Sequence, residues 1–203
     1  MDVWFLASML GIIASVPLHS VSVEHLKLQK RLGERRGTEI AKVFGLVSGW
    51  GFFCSWIGIW VSPQPRFSFQ VFNNMSLSIM GYSIPLLQLL SSMLLIVPGS
   101  WLGIKGVSGT TLKVAETHKT ERIVTSGVYS RVRHPQYLGG LLSHVGITLL
   151  FSALYSLIST PMIIGLVYLI SRKEETELVR EFGKEYEDYQ KQIPMLVPRL
   201  AGS

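Results

Sequence analysis

Two short stretches carry the side chains whose types and spacing suit chemistry: SRVRHPQYLGG, Ser130 to Gly140, and KEE, Lys173 to Glu175. Proline fits the first turn of a helix, because its missing N–H would have no partner there. Pro135 therefore predicts a helix opening at this point, with free amides and partial positive charge at its N-terminus. Arg131, Arg133 and His134 stand at that opening. Gly139 and Gly140 follow one turn later and remove bulk where a ligand can press against the backbone. Such an opening seats a carboxylate or a phosphate. Taken alone, the same residues read equally well as snorkelling anchors and helix-packing notches. The acidic pair Glu174 and Glu175 tips the balance, since topology does not require carboxylates at a membrane boundary. If the helices carrying the two stretches form an antiparallel hairpin, Glu174 or Glu175 lies beside His134. One cationic and one anionic wall suit a zwitterionic ligand.

The elements that must position these residues are apolar. Charged residues make up 16% of the 203, against about 25% in an ordinary soluble domain. Between Val43 and Lys105 the only ionised side chain is Arg66, and between Arg133 and Arg172 there is none. A helix needs ~20 apolar residues to cross bilayer hydrocarbon. Val3 to Val21, Ile40 to Val61 and Ile84 to Ile104 meet that length, and Tyr137 to Ser171 fits two short helices with a turn near Ser152 to Ser156. The expected fold is all-α, a polytopic membrane protein of about five spans, the last two forming a helical hairpin. Val3 to Val21 lacks a basic leader region and reads as a retained span. Residues 1–104 would form three N-terminal spans, and 105–203 the helical hairpin with a C-terminal amphipathic helix.

Basic residues set the orientation. Six fall in Lys27 to Lys42, one is Arg66, six fall in Lys105 to Arg133 and six in Arg172 to Arg199. With five spans the three clusters share one side, which predicts an outside N-terminus and a cytoplasmic C-terminus. The net charge of +6 is thereby explained beside anionic lipid, and nucleic acid is not an expected partner. Cys54 is the one cysteine, which excludes a disulfide framework and a cysteine metal site. His19, His25, His118 and His144 lack metal-ligand spacing, so no metal is expected; His144 reads as a helix contact within the membrane, with a place on the pocket wall as the alternative.

Between these landmarks the chain is less specific. The first loop predicts a short helical extension and turn, with Thr38 and Glu39 as a cap for the second span or as plain connector. Gly45 and Gly49 give a small-xxx-small spacing for helix packing. Trp56 and Trp60 fit an interfacial belt, residues after Val61 read as irregular, and Pro85 and Pro98 are candidate kinks. Leu178, Phe182, Tyr186, Tyr189 and Ile193 form one helical face, predicting a C-terminal amphipathic cytoplasmic helix weakened at Gly183.

TSGVYSRVRHPQYLGG followed by EETELVREFGKEYEDYQKQIPMLVP resembles the isoprenylcysteine carboxyl methyltransferase family and the wider small membrane methyltransferases, phospholipid N-methyltransferases included. The resemblance covers about Glu121 to Pro198. It implies methyl transfer from S-adenosyl-L-methionine to a lipophilic methyl acceptor among membrane lipids. By position, cofactor residues fall on Ile123, Val124, Tyr129, His134, Pro135, Gln136, Tyr137 and Glu174, with Glu174 holding the amino group; Gly139 and Glu175 join them from the reading above. Glu121 stands where many members have histidine, and Ile170 where an acceptor-binding arginine is common; Arg172 is the nearest basic residue. Arg133 or Arg172 is expected to position an anionic acceptor, with a purely structural role at the helix end as the alternative for Arg133. Carboxyl O-methylation is the first reading; phospholipid amine or thiol methylation, an NADPH-dependent sterol-type reductase and a non-catalytic scaffold are the alternatives.

Overall fold

The computed structural model describes residues 2–68, 75–79, 82–110 and 122–199. Among the described residues seven helices carry the fold: α1 (Val3–Val23), α2 (His25–Leu32), α3 (Glu34–Val61), α4 (Leu86–Thr110), α5 (Pro135–Phe151), α6 (Leu154–Phe182) and α7 (Lys184–Gln192). A 3₁₀ turn spans Gly127–Ser130, and an antiparallel hairpin of β1 (Ser76–Ile79) and β2 (Tyr82–Pro85) precedes α4. Helices α1, α3, α4 and α6 are long and apolar enough to cross a membrane. The 17 residues of α5 extend about 25 Å, at the short end of what spans. The chain is an all-α polytopic membrane protein. His118, Glu121 and the last four residues lie outside the described residues.

Helices α5 and α6 form the expected hairpin, and Gln88 explains how it turns without glycine or proline. Ser152 adopts the left-handed conformation (φ 51°). Gln88 Nε2 donates to the carbonyls of Leu149 and Leu150 and to Ser152 Oγ. A side chain from α4 thus satisfies acceptors that the end of α5 leaves open.

Small residues let the helices close without a hydrophobic drive, but along other faces than Gly45–Gly49. Ser8, Gly11 and Ser15 of α1 meet Gly58, Ser55 and Gly51 of α3, while Gly49 has nothing near its Cβ position. A second seam joins α4 and α5: a Cβ on Gly139 would fall 2.4 Å from the Gly99 carbonyl oxygen, and one on Gly146 2.9 Å from that of Ser92. Phe5, Ile12, Ile59, Ile163 and Val167 make the apolar core where α1, α3 and α6 meet.

Four local expectations change. Thr38 lies inside α3 and donates to the Glu34 carbonyl instead of capping. Trp56 and Trp60 point inward: both indole N–H groups donate to His144 Nδ1, at 2.8 and 3.0 Å. Nδ1 is therefore the bare nitrogen, and Nε2–H faces Thr160 Oγ1 at 3.1 Å. Pro85 ends β2, and only Pro98 lies within α4. Finally, the C-terminal amphipathic helix is not one separate element. Its first part continues α6 out to Phe182, and the chain then breaks at Gly183, whose φ of +58° favours glycine, before α7.

Candidate cofactor and acceptor site

Pro135 opens α5 as its first-turn residue, with His134 at the cap. Antiparallel packing brings this opening to Glu174 and Glu175 of α6. His134 Nδ1 lies 3.4 Å from Glu174 Oε2, and its Nε2 lies 3.3 Å from Glu175 Oε1. The imidazole is buried and stacks on Tyr137, ring centroids 5.5 Å apart. Burial works against charge on His134, but hydrogen bonding to the two carboxylates outweighs it and raises its pKa. Tyr137 Oη donates to Glu174 Oε1 at 2.5 Å. From α1, His19 Nε2 reaches the same oxygen at 3.0 Å.

Arg133 is fully engaged within the protein. Its Nε and Nη2 clasp Glu175 at 2.6 and 2.9 Å, the fork geometry that arginine offers carboxylates. Nη1 donates to the carbonyls of Gln190 (2.9 Å) and Ile193 at the end of α7. The backbone amides of Arg133 and His134 donate to Pro194 and Met195 carbonyls, at 2.9 and 3.0 Å. Gln190 Nε2 adds a bond to Glu175, and Tyr189 Oη one to the Tyr129 carbonyl. The C-terminal segment is thus strapped across the α5 opening. Two of the amides expected to be free are taken by it, leaving those of Gln136 and Tyr137 in the first turn.

A cavity of about 560 Å³ lies against this cluster, within the range of small-molecule sites. His19, His134, Tyr137 and Glu174 line it together with Ile123, Val124, Tyr129 and Gln136. Tyr129 Oη donates to the Gly106 carbonyl and receives Gln136 Nε2, which fixes both. On the membrane side the lining is Phe52, Phe53, Trp50, Trp56, Val167 and Ile170. Trp50 and Phe53 are 58% and 53% exposed as well, so the cavity reaches the lipid-facing surface of α3.

The predicted residues therefore separate. Ile123, Val124, Tyr129, His134, Gln136, Tyr137 and Glu174 share one wall. Pro135 is buried behind it, and Gly139 is a packing notch against α4, not a ligand contact. Glu175 faces Arg133, and Arg133, although at the cavity edge, has its donors committed. Arg172 is exposed and does not line the cavity. Sequence reasoning gave little weight to His19 and His25, which both line it. The signal for His19 was available: an ionisable residue inside a span is functional by default. Lys173 secures this flank by bridging Glu24, at the start of α2, to Glu177. Its ammonium, with that of Lys27, holds Glu24 below the usual carboxylate range. Among the described residues, no cluster of histidine, cysteine or carboxylates has a metal-holding arrangement.

The pocket combines a buried carboxylate and imidazoles with an apolar flank open to lipid, a lining that suits a polar ligand beside a lipophilic one. Residues 86–185 match the profile of the family described as phospholipid methyltransferase. Over this stretch, just under half of the chain, the sequence is similar to the small integral-membrane methyltransferases of the isoprenylcysteine carboxyl methyltransferase and phospholipid methyltransferase type. It is 33% identical over 97 residues to the protein-S-isoprenylcysteine O-methyltransferase of Mus musculus, across 43% of this chain and 31% of that protein. The enzyme of the same name from Schizosaccharomyces pombe is 30% identical, across 47% and 41%. Methanethiol S-methyltransferase 2 of Bradyrhizobium diazoefficiens is 39% identical, across 36% and 27%. The match thus spans well under half the length of each of these relatives. No solved structure gives a significant match.

Proposed function

We propose that the protein transfers a methyl group from S-adenosyl-L-methionine to a lipophilic acceptor that enters the cavity from the bilayer. The observation that carries this reading is Glu174: a buried carboxylate held by His19, His134 and Tyr137, on the wall of a cavity whose membrane side is apolar and open toward lipid. The residues fit the cofactor. Glu174 is the partner for its ammonium, the first-turn amides of α5 for its carboxylate, and Ile123, Val124 and Tyr129 offer an apolar and aromatic surface for its base. When bound, the cofactor supplies an electrophilic methyl on a sulfonium. The protein's own task is alignment and exclusion of water. Tyr137 and the histidines fix the carboxylate, Gln136 fixes Tyr129, and the strap over Arg133 closes the cytoplasmic side. In this reading residues 1–104 supply acceptor access and 105–203 the cofactor site, with the N-terminus outside and the C-terminus cytoplasmic.

Carboxyl O-methylation follows from the names of most of the relatives. A thiol acceptor is favoured by one specific feature. Ile170, one turn nearer the membrane than Glu174, presents an apolar wall where a carboxylate would want a cation, and Arg133 is spent on Glu175. Purified protein incubated with methyl-labelled S-adenosyl-L-methionine and a lipid extract should yield a labelled lipophilic product, lost in Glu174→Gln. Absence of any labelled product, with no binding of S-adenosylhomocysteine, would remove the assignment.

A further inference from the structure

His25 is a buried polar group of the cavity that this function leaves unexplained. It begins α2, outside the stretch that matches the family, lines the cavity, and is only 4% exposed. Its Nε2 stands 3.6 Å from Glu181 Oε1, an ion-pair distance longer than a hydrogen bond. Its Nδ1 is buried with no hydrogen-bond partner among the described residues. An orphaned buried nitrogen is costly, and one that borders a cavity is explained by a ligand that supplies the missing hydrogen. Other polar groups along this wall are occupied: Glu174 by His19, His134 and Tyr137, and Glu177 by Lys173 and Arg180.

We propose that His25, oriented by Glu181, is the base that accepts the proton of a thiol acceptor. This rests on the methyl-transfer reading and deepens it. A carboxylate behind an imidazole whose other nitrogen faces the substrate is the arrangement that activates a protonated nucleophile; such bonds are commonly long before the ligand arrives. Glu181 follows Glu174 by seven residues on α6, about 10 Å along the helix, and both line the same cavity as His25. In the step, His25 Nδ1 takes the S–H proton while the acceptor sulfur bonds to the methyl carbon. The electron pair of the broken methyl–sulfonium bond returns to the donor's sulfur, and the positive charge ends on the imidazolium beside Glu181. An ionised carboxylate acceptor would need no such base.

The charged and titratable groups that share the cavity with His25 are Glu174, Glu177 and Glu181 from α6, His19 from α1, and Tyr186 and Tyr189 from α7. Arg122, Tyr129, Arg133, His134 and Tyr137 join them from the segment that leads into α5 and from its first turn; the chain neighbour of His25 is Glu24. Glu24 is already paired with Lys27 and Lys173. Arg35, Arg36 and Lys42 of α3 are exposed and do not line the cavity.

The test compares wild type with His25→Gln, using octanethiol, protonated at neutral pH, and 4-nitrothiophenolate, already ionised. With octanethiol, kcat should fall about 10²- to 10⁴-fold and lose its rise with pH, while the ionised thiol suffers much less. A readout without turnover accompanies it. Calorimetry of 4-nitrothiophenolate binding to the S-adenosylhomocysteine complex, in two buffers of different ionisation enthalpy, should show uptake of about one proton by wild type and none by the variant. Equal losses with both thiols, or equal proton uptake in both proteins, would overturn the role of His25. If His25→Gln no longer binds S-adenosylhomocysteine, Glu181→Gln, which keeps the imidazole, carries the same comparison with smaller losses expected. Failure of wild type to bind S-adenosylhomocysteine would instead sink the methyl-transfer reading.

Discussion

Replacing Arg133 with glutamine separates a residue that grips the acceptor from one that holds the site together. In the native state its side chain and that of Glu175 are 9% and 6% exposed and doubly hydrogen-bonded. The substitution leaves Glu175 with Gln190 Nε2 at 3.0 Å and His134 at 3.3 Å, and strips the donor from the Gln190 and Ile193 carbonyls. Removing one partner of a buried pair costs about 3–5 kcal/mol. For a chain of this size that is a drop of about 6–20 °C in the unfolding midpoint, measurable by thermal scanning in detergent. Arg133→Met combined with Glu175→Leu should recover much of the loss, since an apolar pair leaves no unpaired charge. Exchanging the two residues should not, because it sets a buried carboxylate at 133 against the Gln190 and Ile193 carbonyl oxygens, where a methionine brings no charge. S-adenosylhomocysteine binding should weaken along with stability. An Arg133→Gln protein with an unchanged midpoint and unchanged cofactor affinity, but a raised acceptor KM, would refute this reasoning and return Arg133 to the acceptor.

Three further outcomes follow from the same contacts. Tyr137→Phe removes a charge-assisted bond to Glu174 and should weaken S-adenosylhomocysteine binding about 10- to 100-fold, read by calorimetry, with little change in the unfolding midpoint. Gly139→Ala drives a methyl into the Gly99 backbone and should cost about 1–3 kcal/mol, whereas Gly49→Ala, which meets open space, should be neutral in the same thermal scan. The raised pKa of His134 stabilises the fold in full below the ordinary histidine value near pH 6.5. That contribution is lost as pH climbs through the raised native value, so stability should decline above neutrality in wild type and not in His134→Gln.

What the chain shows locally and what it shows only when folded divide along physical lines. Spans were legible because the bilayer excludes charge over a fixed thickness, and the pairing of His134 with Glu174 followed from a hairpin whose ends must share a leaflet. Helix faces were not legible. Gly45–Gly49 has the spacing of a packing motif, yet the α1–α3 seam runs through Gly51, Ser55 and Gly58. Which stripe is buried depends on the partner helix, and serine serves there as well as glycine. Arg133 illustrates the same limit from the side of charge. An arginine at a helix opening looks identical whether it faces lipid or lies beneath a returning C-terminus, and only the carbonyls of Gln190 and Ile193 decide.

His19 and His25 carry that argument furthest. They lie outside the stretch that the family profile matches, more than a hundred residues from His134, and no local pattern announces that α1 and the start of α2 pack against α6. On the proposed function, the matched stretch would keep the donor site while the first 85 residues, which contribute His19, His25, Trp50 and Phe53 to the cavity, would set what reaches it. Acceptor choice should therefore follow the N-terminal half. Substitutions at His25, Trp50 or Phe53 should change which acceptor is methylated, with S-adenosylhomocysteine affinity constant by calorimetry; loss of that affinity in all three would place the cofactor, not the acceptor, against α2 and α3.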